Sequence, residues 1–141
     1  MLASQQYPEL SSNKPTPEQS AAALGKAFWR TVSLFDLNRE EQAALLGLSG
    51  GNRTALKAYA DKETIPEREE VFLRVGMLMG IVKNLRIIFP HAENKDMIYK
   101  WLKIQREEFG HKSAIEYIKE EPNESFSRLF AVRRMLDIIR C

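Results

Sequence analysis

A short segment rich in glycine raises the first question of chemistry. GLSGG (residues 47–51) matches G-x-S-x-G, the turn that exposes the nucleophilic serine of α/β-hydrolases. That turn follows a β-strand, but residues 38–46, NREEQAALL, lack β-branched side chains and are rich in helix formers. The catalytic triad also needs a histidine, and neither His91 nor His111 has a catalytic sequence context. We therefore interpret Ser49 as a helix cap and expect no catalytic residue and no enzymatic activity.

Motifs for metals and cofactors are missing from the sequence. It contains no H-E-x-x-H, no C-x-x-C, no P-loop and no G-x-G-x-x-G. Two pairs of adjacent glutamates occur, at residues 107–108 and 120–121, but neighbours in sequence point in different directions on a helix. These pairs are typical of a solvated surface. We expect no metal and no cofactor.

Composition limits the class of protein. The chain has 141 residues, of which 44% are hydrophobic, so a substantial core can form. The formal net charge of +2 neither requires nor excludes nucleic acid, because a local basic patch matters more than the sum. The single cysteine, Cys141, excludes an internal disulfide and fits a reducing compartment. Without an apolar run long enough for a membrane, or a signal-peptide pattern, we expect a cytoplasmic protein with no membrane partner.

The spacing of apolar residues and helix caps predicts an all-α protein, and no segment alternates as a β-strand would. Residues 1–15 are polar and are predicted to form a flexible tail. Gly47 supplies the positive φ of a sharp turn, and Pro90 ends the longest helix. Caps at Thr16, Asn38, Ser49 and Thr64 predict the starts of the first four helices. A fifth helix is predicted to contain residues 97–102, a sixth to start at Ser113, and the last to contain residues 126–139.

Residues 38–59 predict a helix-turn-helix, in which two helices flank a turn that contains glycine. In this motif the first residues of the second helix reach the edges of DNA bases. Asparagine pairs with adenine and arginine with guanine, whereas lysine and threonine hold phosphates. An ordinary helical hairpin with a solvated polar face remains the alternative. The predicted DNA-binding residues are Ser49, Asn52, Arg53, Thr54 and Lys57.

The fourth predicted helix has more apolar residues than one face accommodates. Its main apolar stripe runs at helical spacing from residue 71 to residue 89. The opposite side is predicted to carry Arg68, Arg74, Lys83 and Arg86. Leu73, Met77 and Ile81 flank the stripe, and one helical hairpin does not easily cover all three. Because helix-turn-helix proteins usually bind DNA as two-fold dimers, we predict a homodimer.

The segment from residue 37 to residue 90 has a specific order of features. A Leu-Leu-Gly turn is followed by a threonine and an aromatic residue in the next helix, and then by a long helix that closes on Leu-Arg-Ile and Phe-Pro. These residues are Leu45, Leu46, Gly47, Thr54, Tyr59, Leu85, Arg86, Ile87, Phe89 and Pro90. In this order they resemble the N-terminal region of the Xre/MbcA/ParS-type antitoxins.

Residues 96–139 are similar to the toxin-binding module of the same family, which has a Trp-Leu pair, a short loop, a helix that starts at serine or threonine, and a terminal helix. The matching residues are Trp101, Leu102, Phe109, Ser113, Ile118 and Leu136. Three features depart from the family pattern. The family usually has glycine near His111, proline where Ala114 follows the serine, and a glycine turn where this chain has residues 121–127.

The resemblance implies the antitoxin of a type II toxin–antitoxin system. Residues 16–90 would form the DNA-binding and dimerisation domain that represses the operon, and residues 91–141 a small helical domain that covers the active site of a toxin. The toxin partner would most often be a RES-domain protein that consumes NAD. The residues expected to bind it are Trp101, Phe109, Arg133, Arg134, Arg140 and Cys141.

The last helix has its own compositional signal, because arginines beside an apolar row are typical of the core of a protein interface. A core helix with a solvated basic side would have the same pattern. For the whole chain, the alternative function is a stand-alone helix-turn-helix repressor without a toxin partner.

Overall fold

Helices make up most of the computed structural model, which describes residues 14–48 and 53–140. The α-helices of these residues are α1 (Pro17–Leu34), α2 (Arg39–Leu46), α3 (Arg53–Lys62), α4 (Glu69–Ile88), α5 (Lys95–Lys100), α6 (Ala114–Glu120) and α7 (Ser125–Arg140). Short 3-10 turns occur at Ala92–Asn94, Trp101–Lys103, Glu107–Phe109 and Pro122–Glu124. One antiparallel ladder, β1 (Gln105–Arg106) with β2 (Lys112–Ser113), pairs Gln105 with Ser113 and Arg106 with Lys112. The predicted helical class is confirmed, and this two-residue ladder is the correction to it.

Capping boxes start three of the helices, as the sequence predicts. The capping pairs are Thr16 with Gln19, Asn38 with Glu41, and Ser113 with Glu116. In each pair the cap side chain accepts from a backbone N–H of the first turn, and the third residue's side chain accepts from the cap's own N–H. Four N–H groups at a helix start have no partner within the helix, so these reciprocal bonds fix where α1, α2 and α6 begin. The predicted cap at Ser49 lies outside the described residues.

The core is built around α4, which packs against α1 and along α7. Phe28 of α1, Leu78 and Leu85 of α4, and Leu129 and Val132 of α7 are all fully buried in one continuous apolar cluster. That cluster crosses the boundary predicted near residue 90 without a break. The two predicted segments therefore share one core.

The packing of α7 on α4 alters two expectations for the flanks of α4. Met77 and Ile81, predicted to need a second copy to cover them, are 7% and 0% exposed within the single chain. Leu73 alone of the three flanking residues is open to solvent, at 52%. Met77 and Ile81 therefore need no second copy to cover them, because α7 packs over this side of α4.

Arg74 was predicted on the solvated side of α4, and that prediction was wrong because its side chain is buried, with the residue 5% exposed. Its Nη1 donates to Ser125 Oγ at 3.0 Å and to the carbonyl of Ala44 at 3.4 Å. Its Nε and Nη2 donate to Glu70 Oε1 at 3.2 and 3.0 Å, and its Cζ lies 5.5 Å from the centre of the Phe126 ring. A guanidinium can be buried when its donors are satisfied in this way.

Gly47 is required at the end of α2 for two independent reasons. It adopts φ 73° and ψ 24°, the left-handed conformation that side chains disfavour. A Cβ atom built on it would also lie 2.7 Å from Cζ of Arg74. The glycine of the G-x-S-x-G match is therefore explained by helix termination over a buried arginine.

Replacing Gly47 with alanine should destabilise the protein by about 2–4 kcal/mol, as the sum of left-handed strain and overpacking against Arg74. Gly110→Ala is the matched control, because Gly110 also has a positive φ, 67°, but a Cβ there meets nothing within 4 Å. The control should lose only about 1–2 kcal/mol. Urea unfolding measures both losses, and equal losses would show that contact with Arg74 is unimportant.

The cap of α6 predicts a specific acid sensitivity. The backbone N–H and the hydroxyl of Ser113 lower the pKa of Glu116 below its ordinary value of 4.5. Because its pKa is lower in the folded state than in the unfolded state, ionised Glu116 stabilises the fold above pH 4.5, and this contribution is lost as the pH falls through the folded-state pKa.

Glu116→Gln keeps a capping side chain but removes the charge, so the variant should be less stable than the native chain at pH 7, and this difference should shrink as the pH falls below 4.5. Thermal unfolding between pH 3 and pH 7 measures it. Glu67→Gln, which removes an exposed carboxylate outside any capping box, is the control. A stability difference independent of pH would contradict the assignment.

Candidate nucleic-acid interface and partner surface

The start of α3 presents the polar residues predicted to contact DNA. Arg53, Thr54 and Lys57 are exposed, whereas Leu56 is the one residue of α3 that is buried. Residues three and four apart share a helix face, so Arg53 and Lys57 lie side by side there. The other two predicted contacts, Ser49 and Asn52, lie outside the described residues.

The beginning of α2 extends this surface and adds a cation that the sequence analysis missed. A shallow depression joins α2 and α3, and its lining residues are Asn38, Arg39, Glu40, Arg53 and Lys57. Arg39 is exposed and donates from Nη1 to Gln42 Oε1 at 3.1 Å. The single acid of the depression, Glu40, lies 3.7 Å from Lys119 Nζ of α6. The surface therefore carries an excess of positive charge, as contacts with phosphates require.

The end of α3 is held against the backbone of α1. A Cβ on Gly25 would lie 2.5 Å from the carbonyl oxygen of Glu63, so only glycine permits this approach. Trp29 Nε1 donates to the carbonyl of Thr64 at 2.8 Å. With Leu56 in the core, these contacts fix the orientation of α3 relative to α1. Trp29 thus has a structural role in positioning α3.

The described parts of the chain hold no group of three or more His, Cys, Asp or Glu side chains arranged to bind a metal ion. His91 and His111 are both exposed, and His111 adopts a φ of 66° beside Gly110. Within the same residues, no helix is long and apolar enough to cross a membrane.

Trp101 and Phe109, both predicted to bind a toxin, are buried inside the C-terminal segment. Their ring centres are 6.5 Å apart at 87°, and Phe109 stacks on Tyr117 at 5.1 Å and 26°. A guanidinium group lies over each outer ring of this aromatic cluster. Arg106 is 5.1 Å from the centre of the Trp101 ring, and Arg128 is 4.5 Å from that of Tyr117. Such aromatic and cation–π contacts connect the segment that contains β1 and β2 to α6 and α7. In this structure Trp101 and Phe109 are therefore packing residues of the C-terminal segment.

Of the predicted arginines in α7, Arg134 and Arg140 are exposed, whereas Arg133 lies across α4. A Cβ on Gly80 would be 2.5 Å from Arg133 Nε, so the absence of a side chain there makes room for the guanidinium. Asp137 accepts from Asn84 Nδ2 at 2.7 Å and ties α7 to α4 at the next turn. The remaining predicted contact, Cys141, lies outside the described residues.

Large apolar side chains are exposed beside these arginines. A groove of about 490 Å³ between α4 and α7 is lined by Leu73, Met77, Phe126, Phe130, Arg133, Arg134 and Asp137. Ile138 and Ile139, at the end of α7, are 67% and 53% exposed. We call the exposed residues Leu73, Phe130, Arg134, Ile138, Ile139 and Arg140 the C-terminal surface. Phe130 was not among the predicted partner contacts, although it lies outside the buried row of α7, which comprises Leu129, Val132 and Leu136.

The described residues thus carry two candidate surfaces. The basic surface comprises Arg39, Arg53 and Lys57 of α2 and α3, and the C-terminal surface combines apolar residues with arginines on α7.

Comparison of the chain with models of known protein families, with curated proteins and with solved structures gives no match.

Proposed function

We propose that this protein is the antitoxin of a type II toxin–antitoxin system, a cytoplasmic binding protein rather than an enzyme. It binds operator DNA through α2 and α3, and it neutralises a toxin through the C-terminal surface. The observation that carries the proposal is the start of α3, where Arg53, Thr54 and Lys57 point away from the core while Leu56 anchors the helix. The antitoxin assignment rests on the resemblance of residues 37–90 and 96–139 to that family.

In the proposed DNA complex, α3 is the recognition helix. The left-handed Gly47 ends α2, and the contacts of α1 with Glu63 and Thr64 hold the far end of α3. Arg53 and its neighbour Asn52 are suited to base edges, and Lys57 to phosphate. Because proteins of this type usually bind two half-sites about one helical turn apart, we propose a homodimer on DNA.

The C-terminal surface favours a protein partner over a stand-alone repressor. Phe130, Ile138 and Ile139 are large apolar residues that the chain leaves exposed close to arginines. Interface cores are enriched in aromatic residues and arginine, and single anchors of this type dominate binding energy. By the resemblance, the partner is a RES-domain toxin that consumes NAD, with Arg140 and Cys141 directed towards its active site.

Substitutions on α3 test the DNA contact. Arg53→Ala should weaken binding to DNA from upstream of the gene by about 1–3 kcal/mol if Arg53 contacts a guanine, and it should relax preference at one base position. Lys57→Ala should weaken binding to all sequences alike and reduce the salt slope by about 1. Gel shifts at several salt concentrations measure both effects. Lys100→Ala, an exposed lysine of α5, is the control, and binding unchanged in both α3 variants would refute the assignment.

Substitutions on α7 test the partner surface. Phe130→Asp and Ile138→Asp put a charge where apolar anchors would be buried, so each should weaken toxin binding by roughly 2 kcal/mol or more. Each variant is co-expressed with the product of the adjacent open reading frame, and growth and cellular NAD are measured. Both variants should lose protection while keeping DNA binding.

Met97→Asp is the matched control, since Met97 is equally exposed, at 51%, but lies on α5. Full protection by the two α7 variants would show that neutralisation does not use this surface. An adjacent gene product that is harmless alone would favour the stand-alone repressor.

A further inference from the structure

A third surface, between α1 and α4, shares no residue with the two described above. It is a groove of about 560 Å³ on the outer face of these helices. Its lining on α1 extends from Ala27 to Leu34 and on α4 from Met79 to Ile87, so it follows about two turns of each helix. The groove has the length of a short helical segment.

The floor of the groove is apolar. Met79 is partly buried there, and the hydroxyl of Thr31, the polar group of the floor, donates back to the carbonyl of Ala27 at 2.7 Å. Leu34 and Ile87 are 41% and 44% exposed at its edge. An apolar floor of this type binds apolar side chains and has little to offer a bare phosphate backbone.

The edge of the groove is basic. Arg30, Lys83 and Arg86 line it and are exposed, and none of the described residues that line it is acidic. Among the ion pairs formed by the described residues, none includes any of these three cations. A two-fold contact between copies of this groove would bring the cations of one copy against those of the other, and like charges oppose such pairing.

We propose that this groove binds an acidic, amphipathic helical segment of a partner protein. Leucine-like anchors at helical spacing would fill the floor between α1 and α4, as in other helix-in-groove complexes. Glutamate or aspartate on the flanks of that helix would pair with Arg30, Lys83 and Arg86. The proposal does not depend on the DNA-binding or antitoxin function.

Two synthetic peptides test the charge and shape of the groove on the full-length protein. The first is a helical peptide of about three turns with leucine every third or fourth residue and glutamate on the flanks. The second has lysine in place of each glutamate. Fluorescence anisotropy should show that the acidic peptide binds at least about tenfold more tightly and that added salt weakens its binding. Equal binding of the two peptides, or no binding of the acidic one, overturns the proposal.

Variants then locate the binding site. Lys83→Glu/Arg86→Glu should weaken binding of the acidic peptide by about tenfold or more, whereas Lys95→Glu/Lys100→Glu, with the same change in net charge on α5 and outside the groove, should weaken it much less. Ile87→Gln should weaken binding several-fold without altering the melting temperature, because Ile87 is already partly exposed. Equal losses in the two double variants overturn the proposal.

Two further outcomes identify a different occupant. Competition with the acidic peptide by double-stranded DNA of random sequence, with DNA binding that Lys83→Glu/Arg86→Glu abolishes and Lys95→Glu/Lys100→Glu retains, would assign the groove to nucleic acid. A dimer in analytical ultracentrifugation that Lys83→Glu/Arg86→Glu dissociates would assign it to a second copy of this chain. Either result rejects the partner helix.

Discussion

The buried guanidinium of Arg74 is the interaction on which the rest of the structure depends. It holds the carbonyl of Ala44 at the end of α2, its own helix neighbour Glu70, and the hydroxyl of Ser125 at the start of α7. One side chain thus fixes where α2 ends and where α7 begins. Gly47, the cap of α2, lies directly over this guanidinium, so the end of α2 and the start of α7 are both placed against the same side chain. Removal of a partner from such a buried charge costs about 3–5 kcal/mol in other proteins.

The setting of Arg74 also explains why a charge is tolerated in this position. The carboxylate of Glu70 is 56% exposed while the side chain of Arg74 is 6% exposed, so one partner keeps most of its hydration. The Phe126 ring covers the guanidinium, and neutral oxygen acceptors take further N–H groups. The desolvation penalty of a fully buried pair is therefore reduced, while the geometric restraint on three helices remains.

Local signals in the sequence predicted the starts of α1, α2 and α6 because a capping box needs only four consecutive residues. The start predicted at Thr64 was wrong, because α4 begins at Glu69 after Arg68, whose side chain makes no capping bond. Thr16, Asn38 and Ser113 all cap as expected, and Gly47 has the expected left-handed conformation. Arg74 was misplaced because helical periodicity assigns a polar residue to the solvent side unless a distant partner is known. Its partners Ala44 and Ser125 are 30 and 51 residues away.

For the candidate site too, the sequence predicts features that depend on one helix but not those that depend on contacts between helices. Exposure of Arg53, Thr54 and Lys57 follows from helical spacing alone. Burial of Trp101 and Phe109 depends on the stack with Tyr117 and on the turn between the two short strands, and a two-residue ladder has too few residues to show alternation. Cover of Met77 and Ile81 depends on α7, whose position is set by tertiary contacts. The groove with a basic edge likewise forms only where α1 and α4 pack against each other, which the sequence alone does not predict.

The uninterrupted core shared by α4 and α7 has a consequence for turnover. A chain with one core is expected to unfold in one cooperative step, so a protease that captures the open form removes every surface at once. Any ligand that binds only the folded form lowers the population of that open form in proportion to its occupancy. A ligand bound at any one surface of the folded chain would therefore lengthen the lifetime of every other surface as well, by an amount set by its free concentration relative to its Kd.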